Sequence, residues 1–201
     1  MRPLTDHCPK PLLAVNGKPL IVYHVEALAR AGIESIVINV SWLADQVINT
    51  LGDGSVYGVD IRYSHEPEAL ETAGGILHAI DLLDEEFIVV NGDTFTDYDF
   101  SQLPRLTHQA HLVLVENPLH NPKGDFSITN GLLSNHESGR LTFSGVARYK
   151  KSFFDGLAEG KQALAPLLRT QADKELITAE YFHGDWSDVG TPERLEQLQA
   201  S

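Results

Sequence analysis

Three charged side chains far apart in the chain, Lys10, Asp93 and Asp188, stand in local settings suited to phosphoryl chemistry. Lys10 lies in Pro9-Lys10-Pro11, where the prolines stiffen an extended arm and present the ammonium ahead of a glycine turn and a helix. An ammonium held this way binds phosphate, although a lysine solvated in a proline-rich loop has the same local sequence. Asp93 closes Asn91-Gly92-Asp93 directly after the apolar run Phe87-Ile88-Val89-Val90. A carboxylate at a strand end can hold Mg²⁺ through one oxygen while the metal also takes phosphate oxygens; Asn-Gly-Asp is equally a favoured tight turn. Asp188 follows Trp186 at an expected strand end, ahead of Thr191 as helix N-cap, Pro192 at the first helical position and Glu193 in the first turn. Those roles leave Asp188 without a structural task. Two aspartates from distant parts of the chain, converging on one magnesium, would form a phosphoryl-group site.

Two further segments offer binding chemistry. Glu71-Thr72-Ala73-Gly74-Gly75-Ile76 combines small residues with a helix start, which lets a flat ligand approach the backbone or simply begins a helix. Lys123-Gly124-Asp125-Phe126 sets a cation, a turn and a carboxylate where a sugar could be read by hydrogen bonds; a hairpin turn has the same composition. Asp97 and Asp99 add carboxylates after Asp93, or form a polar loop entering a helix. The nine histidines include no His-Glu-x-x-His pattern and no Cys/His set, and no Gly-x-Ser-x-Gly elbow supports a serine hydrolase.

These residues need elements to position them. Lys18 to Ala31 has helical apolar spacing, with Pro19 expected in its first turn and Gly32 as its stop. Strands are expected at 35–40, 59–63 and 87–91, and helices at 42–51 and 74–83, which gives an α/β order with a mostly parallel, Rossmann-like sheet carrying helices on both faces. In such a sheet ligands sit beyond the carboxyl ends of the strands, where Asn91-Gly92-Asp93 falls. From His111 the pattern changes to short β-like pieces at 112–115, 125–128, 131–133 and 141–143, read as a small β insertion of hairpins over the core. Helices at 152–158, 163–172 and 192–199 and a strand at 176–182 complete the expectation.

The 201 residues suit one domain, residues 1–201, and 42% hydrophobic with 21% charged residues describe an ordinary globular chain. No apolar run approaches a membrane span and no signal-peptide pattern is present, which points to the cytoplasm. With 15 basic and 28 acidic residues the net charge is −13, which repels a nucleic-acid backbone and requires any anion site to concentrate cations locally. The single Cys8 excludes an intrachain disulfide and a multi-cysteine zinc site.

Taken together, Met1-Arg2-Pro3-Leu4-Thr5, the string Pro9 to Ile21, Leu70-Glu71-Thr72-Ala73-Gly74-Gly75, Val90-Asn91-Gly92-Asp93 and Trp186-Ser187-Asp188-Val189-Gly190-Thr191-Pro192 resemble the sugar-1-phosphate nucleotidyltransferases. Within that family the pattern is most similar to the N-acetylmuramate-1-phosphate uridylyltransferases of peptidoglycan recycling, with mannose-1-phosphate guanylyltransferases next. A non-catalytic sugar-nucleotide binding protein is a further alternative. The resemblance implies that a sugar 1-phosphate attacks the α-phosphorus of a nucleoside triphosphate, UTP in the first case, and releases pyrophosphate. It implies Mg²⁺ on Asp93 and Asp188, Lys10 on phosphate, Gly74, Gly75 and Asn91 against the base or ribose, and Asp125 and Asp188 facing the sugar. A monomer or small homo-oligomer is expected. Family members carry a first strand and a Gly-x-Gly-x-Arg loop ahead of the position matched by Met1, so the resemblance also implies an N-terminally truncated chain of doubtful activity, with a central slot in its sheet.

Overall fold

The structure is a computed structural model and describes Met1 and residues 4–200; Arg2 and Pro3 of the opening string lie outside the described residues. After 3-10 turns at Leu4–Asp6 and Lys10–Leu12 come β1 (Ala14–Val15), β2 (Lys18–Pro19), α1 (Leu20–Arg30), β3 (Ser35–Val40), α2 (Ala44–Leu51) and β4 (Asp60–His65). Next are α3 (Glu71–His78), β5 (Glu86–Val90), β6 (Thr94–Thr96), β7 (Ala110–Val115), β8 (Ser127–Thr129), β9 (Leu132–Ser134) and β10 (Thr142–Lys150). The last are α4 (Leu164–Ala172), β11 (Ile177–Tyr181), β12 (Trp186–Asp188) and α5 (Pro192–Ala200). No helix among the described residues is long and apolar enough to cross a membrane.

The chain divides into two compact units, one of Met1–Ala69, Asn91–Gln102 and Asp185–Ser201, the other of Leu70–Val90 and Leu103–Gly184. In the first unit β3 and β4 pair in parallel from Ser35 opposite Asp60 to Val40 opposite His65, and α1 and α2 bury Ile21, Val22, Val25, Val47 and Leu51 with Val40 and Ile61. Pro19 stands just before α1 and not in its first turn, because Ala14 pairs with Pro19 in the β1–β2 ladder and holds it extended. Gly32 ends α1 as expected: at φ +83° it takes the left-handed turn in which its own N–H reaches Ala29 O and the Ile33 N–H reaches Leu28 O, each at 3.0 Å.

The second unit holds a six-stranded sheet in the order β5-β10-β7-β11-β9-β8. The α/β class stands, and the sheet is mixed: β7 and β11 are parallel, while β10 lies antiparallel between β5 and β7 and the β8–β9 hairpin extends the edge beyond β11. Strand β7 is buried along its whole length, its apolar residues joined by the buried His111, whose Nδ1 lies 2.8 Å from Thr178 Oγ1. The short β pieces therefore build this sheet and do not lie over it. One face packs Leu112, Leu114, Ala147, Tyr149 and Ile177 against Leu164 and Leu168 of α4 and against Phe153 and Phe154. The helix expected at 152–158 is only a 3-10 turn, Lys151–Phe154: the two phenylalanines are drawn into this core and Gly156, at φ +79°, turns the chain away.

Candidate active site

The first unit brings Lys10, Asp93 and Asp188 onto neighbouring pieces of backbone. Strands β6 and β12 pair antiparallel with Thr94 opposite Asp188, and the Val189 N–H donates to Asp93 O at 2.8 Å. Burial drives this pairing, since Val189 is 1% exposed and packs with Leu13, Val15, Leu20 and Leu195. Asn91 to Thr94 is a turn, closed by the Thr94 Oγ1 and N–H on Asn91 O at 2.9 and 3.3 Å, so the turn reading and the strand-end reading of Asn-Gly-Asp are both correct. Pro11 rests on Gly92, where an added Cβ would meet its Cγ at 3.4 Å. This contact brings the 3-10 turn of Lys10 beside the aspartate, and Lys10 Nζ donates to Asp93 Oδ2 at 2.9 Å with both side chains partly exposed.

Asp188 has its own cation. Arg194, in the first turn of α5, donates through Nη1 to Asp188 Oδ2. Gly190 makes this possible: a Cβ there would lie 2.8 Å from Arg194 Nη1, so any larger residue would push the guanidinium aside. The segment Asp188-Val189-Gly190-Thr191-Pro192 is then physically accounted for, with Asp188 on the arginine, Val189 in the core, Gly190 giving clearance and Thr191 Oγ1 receiving the Arg194 N–H at 3.4 Å. Asp99 is a cap and not part of this group, since its carboxylate accepts from Ser101 N, Ser101 Oγ and Gln102 Nε2.

His24 of α1 braces the same turn. It is 5% exposed, and its Nε2 lies 2.8 Å from Thr94 O; because a carbonyl only accepts, that nitrogen carries the proton. Burial holds its pKa below the ordinary value of 6.5, opposed by the bond to Thr94 and the charge of Asp93.

Asp93, in the turn before β6, and Asp188, at the end of β12, supply hard oxygen donors and remain partly exposed, at 38% and 30% of their side chains. Among the described residues no cluster of three His, Cys, Asp or Glu forms a closed metal cage. That donor set fits Mg²⁺, which takes one or two carboxylates and fills its octahedron with water and substrate phosphate.

In the second unit Gly74 and Gly75 are buried in α3. Gly74 is tightly packed: a Cβ would fall 2.2 Å from Gly160 O, and the Ala73 and Gly74 N–H groups both reach Gln162 O at 3.1 Å. Close approach at Gly74 is thus made by the chain's own 160–162 segment. Glu71 opens the helix at φ +60°, a left-handed conformation costly for a residue with a side chain. Asp125 uses both carboxylate oxygens within its loop, accepting from Phe143 N–H at 2.8 Å and Asn121 Nδ2 at 3.2 Å.

Residues 1–124 match the family described as nucleotidyl transferase. Over its whole length the chain is 50% identical to the N-acetylmuramate alpha-1-phosphate uridylyltransferase of Neisseria meningitidis and covers 92% of that protein. The chain belongs to the nucleotidyl transferase family. The mannose-1-phosphate guanyltransferase of Candida albicans is 40% identical over 115 residues, which is 55% of this chain and 32% of that protein. The fold agrees with that of a solved protein of Bacillus anthracis described as a glucose-1-phosphate thymidylyltransferase, with a TM-score of 0.86, 21% identity and coverage of 100% of this chain and 89% of that one. HddC from Yersinia pseudotuberculosis, solved with GMP-PN, gives 0.76 at 23% identity over 96% of this chain and 89% of that one.

Membership makes the chain a nucleotidyltransferase by family. Sequence reasoning did not give roles to His24 and Arg194. Arg194 could have been found from its place one turn into a capped helix, six residues after an otherwise unexplained aspartate. His24 is hidden by its position on the apolar face of α1, where a histidine reads as core.

Proposed function

We propose that this protein transfers the uridylyl group of UTP to N-acetylmuramate 1-phosphate and releases pyrophosphate. The observation that carries this reading is the 50% identity, across all 201 residues, to the uridylyltransferase of Neisseria meningitidis. The Lys10, Asp93 and Asp188 arrangement supports it chemically. An anomeric phosphate oxygen attacks the α-phosphorus; the bond from that phosphorus to the bridging oxygen breaks, and its electron pair leaves on pyrophosphate. Bound Mg²⁺, held by Asp93 and Asp188, would neutralise phosphate charge. Lys10 releases Asp93 and turns its ammonium to a phosphate oxygen, while the turn braced by His24 keeps Asp93 and Asn91 in place. Gly75 lies on the nucleotide side, Asp188 serves the sugar, and the Asp125 loop contributes to sugar recognition. Positioning and fixed charge supply the rate enhancement in such a transfer. UTP is a cytoplasmic compound, which favours that compartment.

The test is pyrophosphate release with UTP, Mg²⁺ and N-acetylmuramate 1-phosphate, measured on the 201-residue chain and on a version extended upstream. Turnover in either form supports the reading, and turnover only in the extended form assigns an essential part to the added residues. Turnover with GTP and mannose 1-phosphate in its place would move the assignment to guanylyl transfer. Tight binding of UDP-sugar without turnover in either form would make the protein a binding module.

A further inference from the structure

The turn at Lys123-Gly124-Asp125 divides its two charges between different tasks. Asp125 is committed to the loop, and the bonds around it form a closed clasp. Asn121 Nδ2 reaches Thr142 Oγ1 at 3.2 Å, the Thr142 hydroxyl donates to Asn117 Oδ1 at 2.9 Å, and Asn117 Nδ2 donates to Arg140 O at 2.8 Å. The Asn121 and Gly124 N–H groups close successive turns on Pro118 O and Asn121 O at 2.9 and 3.1 Å. Gly124, at φ +63°, leaves no room for a side chain, since a Cβ would lie 2.7 Å from Asn117 Oδ1. The loop is therefore tied to the start of β10. At its tip Lys123 is exposed, and among the described residues it has no hydrogen-bond or ion-pair partner.

The place of this cation matters. Strand β10 is antiparallel to both β5 and β7, and β11 is parallel to β7, so β5, β7 and β11 run the same way and end at Val90, Val115 and Tyr181 along one edge. The clasped loop leaves from β7 at that edge, the side of an α/β sheet where ligands bind. The ring of Tyr181, the last residue of β11, lies 3.9 Å from that of His183 there. In a chain of net charge −13, an exposed cation on a turn tied down at such an edge is placed to meet an anion. N-acetylmuramate differs from N-acetylglucosamine by a lactyl ether that carries a carboxylate. We infer that Lys123 receives this carboxylate, and that the turn between β7 and β8 selects a sugar acid over neutral sugar phosphates. The inference rests on the reading given under Proposed function.

The experiment compares the unaltered protein with Lys123→Met and Lys123→Arg. Calorimetric Kd values and, in the form that turns over, KM values are measured for N-acetylmuramate 1-phosphate, N-acetylglucosamine 1-phosphate and UTP. Lys123→Met is expected to weaken the sugar acid by roughly ten- to a hundredfold, the scale of one charge-assisted hydrogen bond, and to leave the other two ligands unchanged. Lys123→Arg is expected to restore most of the loss. Equal weakening of both sugar phosphates would assign Lys123 to the shared phosphate or to loop structure and overturn the inference, as would no change. If the unaltered protein neither binds nor turns over N-acetylmuramate 1-phosphate, the functional reading fails and takes the inference with it. If it does both and Lys123→Met behaves identically, only the inference fails.

Discussion

At the scale of single residues, the Lys10 and Asp93 pair separates structural from catalytic worth. Both side chains are partly exposed, so their 2.9 Å contact contributes little to stability, on the order of 0–1 kcal/mol. If Lys10 neutralises phosphate charge during transfer, the same side chain accounts for a loss of roughly a hundredfold or more in kcat, the scale seen when a preorganised charge or donor is removed. Lys10→Met is therefore expected to leave the urea midpoint nearly unchanged and to cut turnover by that factor, and Asp93→Asn to do the same with a weakened dependence on Mg²⁺. A large drop in stability with proportionate activity would instead make the pair a structural tie. Lys10, Asp93 and Asp188 stand out as candidates in the sequence because each lies where a backbone signal, a proline arm, a strand end or a helix cap, leaves one charged side chain unexplained, and their neighbouring placement in the fold is what the structure adds. Arg194 does not, because its role depends on clearance over Gly190, which only coordinates reveal.

At the scale of elements, α3 depends on a glycine whose reason lies elsewhere in the chain. Gly74 faces Gly160 O so closely that a methyl group would sit 2.2 Å from it, and a backbone carbonyl cannot swing aside as a flexible side chain would. Gly74→Ala is expected to destabilise the protein by about 1–3 kcal/mol, the usual cost of overpacking, despite alanine's better helix propensity, and chemical denaturation would read it directly. An unchanged or raised midpoint would mean that the 160–162 segment yields freely. The sequence shows two adjacent glycines at a helix start and so suggests room for a ligand; it cannot show that a segment some ninety residues later fills the space at one of them. The same limit explains the sheet. Local periodicity located most strands within a few residues, but pairing is a tertiary property, and the short pieces after His111 join β5 and β7 in one mixed sheet. Phe153 and Phe154 show tertiary pull overriding local pattern, shortening an expected helix to a single turn.

At the scale of the whole molecule, stability against pH combines two opposing effects. The first is diffuse: with 28 acidic and 15 basic residues, lowering the pH toward the pI near 5.0 reduces self-repulsion and favours the compact state. The second comes from His24. Burial holds its folded-state pKa below 6.5, so the unfolded chain takes up a proton near 6.5 that the folded chain refuses until lower pH. Above 6.5 both states are neutral at this site and it has no effect; as the pH falls below 6.5, stability is lost until the folded-state value is reached. The slope from this one group is at most about 1.4 kcal/mol per pH unit. Protonation leaves Nε2–H donating to Thr94 O, and that bond favours the charged ring, so the loss in acid comes from burying the charge and not from losing the brace on the turn that carries Asp93. His24→Gln retains an N–H donor for Thr94 without the titration. Urea unfolding from pH 7.5 down to 5 is expected to show the unaltered protein losing stability faster than this variant, with the two curves parallel above pH 7. Parallel curves throughout would mean that His24 takes its proton equally well in both states, and the acid sensitivity of the chain would then belong to its surface charge alone.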